Sequence, residues 1–154
     1  MLTPPAIPAY LPLSSQIYQE PAARFGIGIL DGYKVLNLHG VTVMENEDGT
    51  LAYTVVVHPR ASDRPLPPSA VAQIAIETFL SGEGFTPQPF QELTEGIIIP
   101  WSGTLTQQNQ PMGGLLYAKQ GERDVLLLMV SATAENIPYT QPAINTLLPT
   151  FKAL

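Results

Sequence analysis

The chain has 154 residues, enough for one domain that removes about two thirds of its unfolded surface from water. It contains no cysteine, which excludes thiolate metal centres, a cysteine nucleophile and thiol-based redox switching. Thirteen acidic against seven basic residues give a formal net charge of −6, a field that repels phosphate backbones and argues against nucleic acid as a partner.

Residues 1–24 open with MLTPPAIPAYLPLSS, whose prolines at 4, 5, 8 and 12 forbid a regular helix and favour an extended path. Apolar Leu2, Ile7, Tyr10, Leu11 and Leu13 ride on it, where a disordered tail would be more polar. The segment is either a strap across its own domain or an arm that docks on another protein. Residues 25–154 read as a single domain with no internal repeat.

From Phe25 the pattern becomes that of strands: FGIGIL, YKVLNL and VTVMEN, separated by breaks at Asp31-Gly32 and His39-Gly40. NEDGT then joins VTVMEN to LAYTVVVH, and Asp48-Gly49 signals a hairpin because glycine adopts positive φ without steric cost. The connection HPRASDRPLPP leads into a helix that starts near Ser69. There Ser69, Gln73, Glu77 and Ser81 recur every fourth residue as a narrow wet stripe. A helix this apolar is expected to be covered on more than one side, by the sheet and by something else such as the strap, and to end at Gly82 and Gly84.

Three more strands follow, from Glu92 through Trp101 to Thr106, from Gly114 to Lys119 and from Val125 to Ala132, with NQPMGG and KQGERD as turns. VLLLMVSA is apolar on both faces and belongs in the middle of a sheet. A closing helix carries Ile144, Leu147, Leu148 and Phe151 on one stripe; Pro142 suits its first turn and Pro149 kinks its end. Strands joined by short turns pair antiparallel. The expected fold is therefore α+β: a single antiparallel sheet of about six or seven strands with helices packed on it.

Two segments carry a family likeness. FGIGILDGYKV resembles the opening strand and glycine-aromatic turn of the PsbP-like family, with Gly32 and Tyr33 in the turn, and VLLLMVSATAENIPYTQPAINTLLPTFKAL resembles its apolar strand, acidic loop and closing helix, with Phe151 in the last turn. That family includes the extrinsic PsbP subunits of photosystem II and the Mog-type proteins that bind the Ran GTPase. The resemblance spans Phe25 to Leu154. It implies a layered fold with an antiparallel sheet between helices, and a role as a non-catalytic partner or assembly factor on a larger complex. The photosystem members carry a targeting leader and a lipid-anchor cysteine, neither of which this sequence shows.

Chemistry has little support in the residues. His39 and His58 sit at a strand break and a strand end without the spacing that puts two ligands on one metal. Gly26, Gly28 and Gly32 form GxGxxxG, but the next segment reads as strand, whereas phosphate binding needs a helix N-terminus after the turn. ENEDGT would put Met44 at the first position of a calcium loop, where a carboxylate is required. WSG lacks the first glycine of a nucleophile elbow, because Pro100 stands there. Glu92 and Glu95, read on one strand, point to opposite faces. No catalytic residue, metal or cofactor is expected.

Only 13% of residues are charged, against roughly 25% in an average soluble domain. The uncharged runs are Met1–Gln19, Gly96–Ala118 and Asn136–Phe151. Each is broken by proline or polar residues, so none reads as a membrane span, and with no secretory signal in view a cytoplasmic protein is expected. GIIIPWSGTLT holds the sole tryptophan, Trp101, as a core residue, an interface anchor or the lip of a pocket between sheet and helix. The sequence thus points to a protein-binding accessory or assembly subunit, with Ile7, Tyr10, Leu11, Leu13 and Trp101 as candidate contacts and self-association left open. The alternative is a small hydrophobic-ligand binder or enzyme with a pocket between sheet and helix.

Overall fold

The computed structural model describes residues 7–38, 41–60, 64–79, 85–105, 110–121 and 123–153. Eleven strands and two α-helices follow one another among them. They are β1 (Leu13–Gln19), β2 (Phe25–Leu30), β3 (Lys34–Leu38), β4 (Val41–Glu45), β5 (Leu51–Pro59), α1 (Pro68–Phe79), β6 (Thr86–Pro87), β7 (Gln91–Leu93), β8 (Gly96–Leu105), β9 (Gln110–Gln120), β10 (Asp124–Thr133), α2 (Thr140–Leu147) and β11 (Lys152–Ala153). Single 3₁₀ segments, Ala134–Tyr139 and Leu148–Thr150, bracket α2.

The α+β class with antiparallel pairing holds, but the single sheet does not: the strands form an eight-stranded sheet in the order β3-β4-β5-β10-β9-β8-β6, with β7 also on β8, and a separate three-stranded sheet β1-β2-β11. FGIGIL belongs to the small sheet. Its two edges are taken by β1 and by β11, which leaves no hydrogen-bonding edge for β3. The left-handed turn at Gly32, φ +80°, redirects the chain from one sheet to the other. Sequence patterning hid β1 because LSSQIYQ is largely polar and follows the proline-rich run, whose constraint ends at Pro12.

The large sheet separates two apolar layers. On one face Tyr53, Leu126, Leu128, Val130, Ile98 and Tyr117 meet β2, Ala143, Ile144 and Leu147 of α2, and Phe151. On the other, Leu127, Met129, Leu116, Ala118, Ile97 and Ile99 meet Val71, Ala72 and Ala75 of α1. Alternation along β10 serves both layers. That strand lies between β5 and β9 and is buried from Val125 to Val130, as its two-faced apolar pattern requires.

The Asp48-Gly49 turn is present, with Gly49 at φ +70° and the Asp48 carboxylate accepting from the Thr50 amide and hydroxyl. Helix α1 exposes Ser69, Gln73 and Glu77, the expected wet stripe, with a Gln73 to Glu77 hydrogen bond along it. The strap does not cover α1. It lies on the opposite face of the large sheet, so Ile74 and Ile76 stay half-buried. His39, Ser81, Gly82, Gly84 and Thr106 lie outside the described residues.

Candidate partner-binding surface

The N-terminal segment from Ile7 onward is tied down by its backbone. The Leu11 amide donates to the Thr146 hydroxyl at 2.8 Å, which in turn donates to the Leu11 carbonyl at 2.9 Å; Asn145 donates to the Ala9 carbonyl; and the Asp31 amide donates to the Pro12 carbonyl. These bonds fix the path while leaving the side chains outside. Ile7 is 49% exposed, Tyr10 64%, Leu13 44% and Ile17, on β1, 61%. Leu11 and, on β1, Tyr18 turn inward, half-buried against the core layer that includes α2.

Leu13 also leans over β2. A Cβ built on Gly28 would lie 2.8 Å from Leu13 Cδ1 and 3.0 Å from Thr150 Oγ1, so glycine is what lets the strap and the C-terminal turn converge on β2. The Thr150 hydroxyl completes that junction, accepting from the Gly28 amide at 2.8 Å and donating to the Leu147 carbonyl at 2.7 Å.

Trp101 is elsewhere. It projects from β8 into the α1 layer, half-buried, its ring 5.5 Å from Phe85 at a 40° tilt. Among the described residues its indole N–H meets no acceptor. The five candidate contacts therefore fall on two surfaces: Ile7, Tyr10, Leu11 and Leu13 share the strap, and Trp101 stands across the sheet from them.

A pair of open grooves meets at the turn between β7 and β8. One, of about 460 Å³, is walled by Tyr10, Tyr117, Asn145 and Leu148; the other, of about 670 Å³, runs between Pro68 and Val71 of α1 and Ile97 and Ala118 of the sheet. Leu93, Thr94, Glu95 and Lys119 line both. The groove between helix and sheet is open rather than enclosed, and Trp101 is not among its lining residues. Glu92 and Glu95 both face it, contrary to the reading that set them on opposite faces. The strand assumed from Glu92 to Thr106 breaks at Thr94-Glu95, and Gly96, φ +149°, folds β7 back onto β8.

Lys119 is the charged centre of this edge. Its ammonium donates to the Phe151 carbonyl at 2.7 Å and stands 5.0 Å from the Phe151 ring centroid. Burial lowers its pKa, and the nearby Glu95 carboxylate opposes that shift. Tyr117 donates to the Glu95 carbonyl at 2.8 Å, and burial, then the Glu95 charge, pushes its phenol up to about 12. Gln120 clamps the loop before α1 by bonding both the amide and the carbonyl of Leu66. Nothing in the sequence marked these residues, since they come from a turn, a strand end and a loop that only the fold brings together.

Among the described residues no three histidine or carboxylate side chains converge to hold a metal ion, and no helix is long and apolar enough to cross a membrane. No family model matches the chain, and no curated protein does. Among solved structures the chain is similar to LpqN, involved in cell envelope biogenesis of Mycobacterium tuberculosis, with a TM-score of 0.56 and 13% sequence identity over 92% of this chain and 91% of that chain. At this identity the likeness is one of fold.

Proposed function

We propose that the chain is a non-catalytic protein-binding module, an accessory or assembly subunit that docks through its N-terminal strap. One observation carries the reading: a strap whose backbone is anchored to α2 and the Asp31 turn presents Ile7, Tyr10, Leu13 and Ile17 to solvent. A strap serving only its own core would turn these side chains inward, whereas an aromatic and three aliphatic groups on a fixed backbone need little ordering when a partner covers them. Tyr10, at the mouth of the groove beside Leu93, is the expected anchor.

The likeness to a protein of cell envelope biogenesis agrees with a role in building a larger structure. The narrower ideas, membership of the PsbP-like family and service to a photosynthetic complex, rest on FGIGILDGYKV and the closing segment. A cytoplasmic placement rests on the sequence alone. The experiment is quantitative affinity capture from the native host, comparing the wild-type chain with a Tyr10→Glu, Ile17→Glu double variant. A defined protein retained by the first and lost by the second supports the proposal, and equal recovery contradicts it.

A second reading has its own observation. The groove of about 670 Å³ between α1 and the sheet, lined by apolar Leu66, Val71, Leu93 and Ile97 and, at its edge, by Lys119, has the size of a small-molecule site. Saturable binding of an apolar carboxylate, abolished by Val71→Arg, would favour it over a protein-docking role.

A further inference from the structure

The sheet edges of this protein are treated differently. The strand-like edge along β8 contains Pro87 and Pro89, which cannot donate to an added strand; β1 carries a register shift between Leu13 and Ile17; and β11 is two residues long. The other end of the eight-stranded sheet is β3, Lys34 to Leu38. It has no proline, its pairing with β4 is regular through all five residues, and β4 is its one partner among the described residues.

The register says which backbone groups of β3 face outward. The Thr42 carbonyl accepts from the Thr54 hydroxyl and the Asn46 amide donates to the Leu51 carbonyl, so alternate residues of β4, Thr42 and Met44, turn toward β5, and Val41, Val43 and Glu45, the partners of Leu38, Leu36 and Lys34, turn toward β3. Bonded pairs then alternate, so the amides and carbonyls of Lys34, Leu36 and Leu38 turn toward β4. Those of Val35 and Asn37 turn away from it. Both residues are exposed, Val35 by 41%.

We infer that β3 is a self-pairing edge: two copies join antiparallel about a two-fold axis through Leu36, extending the sheet across both chains. In this register Val35 of each copy faces Asn37 of the other, so the two outward-facing residues exchange both bonds twice, four backbone hydrogen bonds in all. Leu36 meets its own counterpart on the face it shares with Val43, half-buried in the single chain. The antiparallel direction also keeps like charge apart. Asp31, Glu45, Glu47 and Asp48 gather at the end of the sheet where β3 begins, with Lys34 paired to Glu45 at 3.8 Å, and the two-fold sets the acidic ends of the copies at opposite ends of the seam. A five-residue seam covers less than the roughly 1,200 Å² at which standard interfaces begin, so the association is reversible and rises with concentration.

Sedimentation equilibrium on the full chain, from about 10 μM to about 1 mM, tests this. The weight-average mass should climb from 16.6 kDa toward twice that value for the wild type. Asn37→Pro should stay at the single-chain mass while keeping the wild-type melting curve, because it removes an amide that faces away from β4; Val35→Lys, which sets an ammonium on the seam beside Met44, should also stay at the single-chain mass while remaining folded. Gln91→Lys, on the proline-protected edge, should associate like the wild type. In hydrogen exchange the Val35 and Asn37 amides should gain protection as concentration rises. A wild-type mass that stays single throughout overturns the inference, even if another protein's strand can occupy the edge. So does a doubled mass that persists in folded Val35→Lys.

Discussion

The Tyr53 hydroxyl, on the central layer of the large sheet, donates to the Gly28 carbonyl at 2.8 Å while accepting from the Leu30 amide at 3.1 Å. One phenol thus satisfies two backbone groups of β2 and locks the small sheet face-on to the large one. Burial pushes its ionisation well above the usual range of a tyrosine. Tyr53→Phe would leave a buried amide and a buried carbonyl without this partner. It should cost about 1–3 kcal/mol, measured as a shift in the urea midpoint with an unchanged slope.

Two buried glycines should respond differently to one added methyl group. At Gly28 the obstacles are the tips of Leu13 and Thr150, which can shift slightly, so Gly28→Ala should cost about 1–3 kcal/mol. At Gly114 the added carbon would lie 1.9 Å from the Val130 carbonyl oxygen, in the middle of the β9–β10 ladder. Backbone cannot yield there without breaking the sheet. Gly114→Ala should cost more than about 4 kcal/mol, or prevent folding, and parallel thermal melts of the two variants would give that order.

Alkaline stability follows from the raised phenols. Tyr33 is pushed up to about 12 by burial and then by the Asp48 charge, and Tyr117 likewise by burial and Glu95. Above pH 10 the unfolded chain releases these protons while the folded chain retains them. The unfolded state then binds fewer protons, and stability falls as pH rises from about 10 to about 12. Tyr33→Phe should flatten that slope in denaturation curves taken across this window, and a slope identical to the wild type would contradict the assignment.

Trp101 carries an indole N–H that no described acceptor receives. Trp101→Phe removes this donor while keeping an aromatic ring near Phe85, so the lost area and the lost penalty should nearly cancel. The expected change is within about 1 kcal/mol by denaturant titration. A loss of about 3 kcal/mol or more would mean that the indole nitrogen is bonded in the folded protein.

Much of the fold was legible because periodicity reports burial. VLLLMVSA, apolar on two faces, became the central β10; Asp48-Gly49 marked the hairpin between β4 and β5; and the four-residue spacing of Ser69, Gln73 and Glu77 marked the wet side of α1. Pro149 ended α2 in a 3₁₀ turn, as a missing amide requires. The split into two sheets was not legible, because it depends on which distant segments reach β2: β1 pairs there from a largely polar stretch with a shifted register, and β11 through two residues at the far end of the chain. The edge grooves were hidden for a related reason. Lys119, Glu95 and Tyr10 belong to three unrelated patterns, and only the fold-back at Gly96 brings them to one place. The candidate contacts on the strap could be named from their apolar character on a proline-rich path, but nothing local revealed that Trp101 sits across the sheet from them.

The central claim is that the strap's outward side chains meet another protein. A photo-cross-linking amino acid placed at position 10, with position 77 on the exposed stripe of α1 as the control, tests this directly in the native host. The account predicts that position 10 joins one defined protein that position 77 does not touch. Equal labelling from both positions, or cross-links from position 10 only within its own chain, would contradict it.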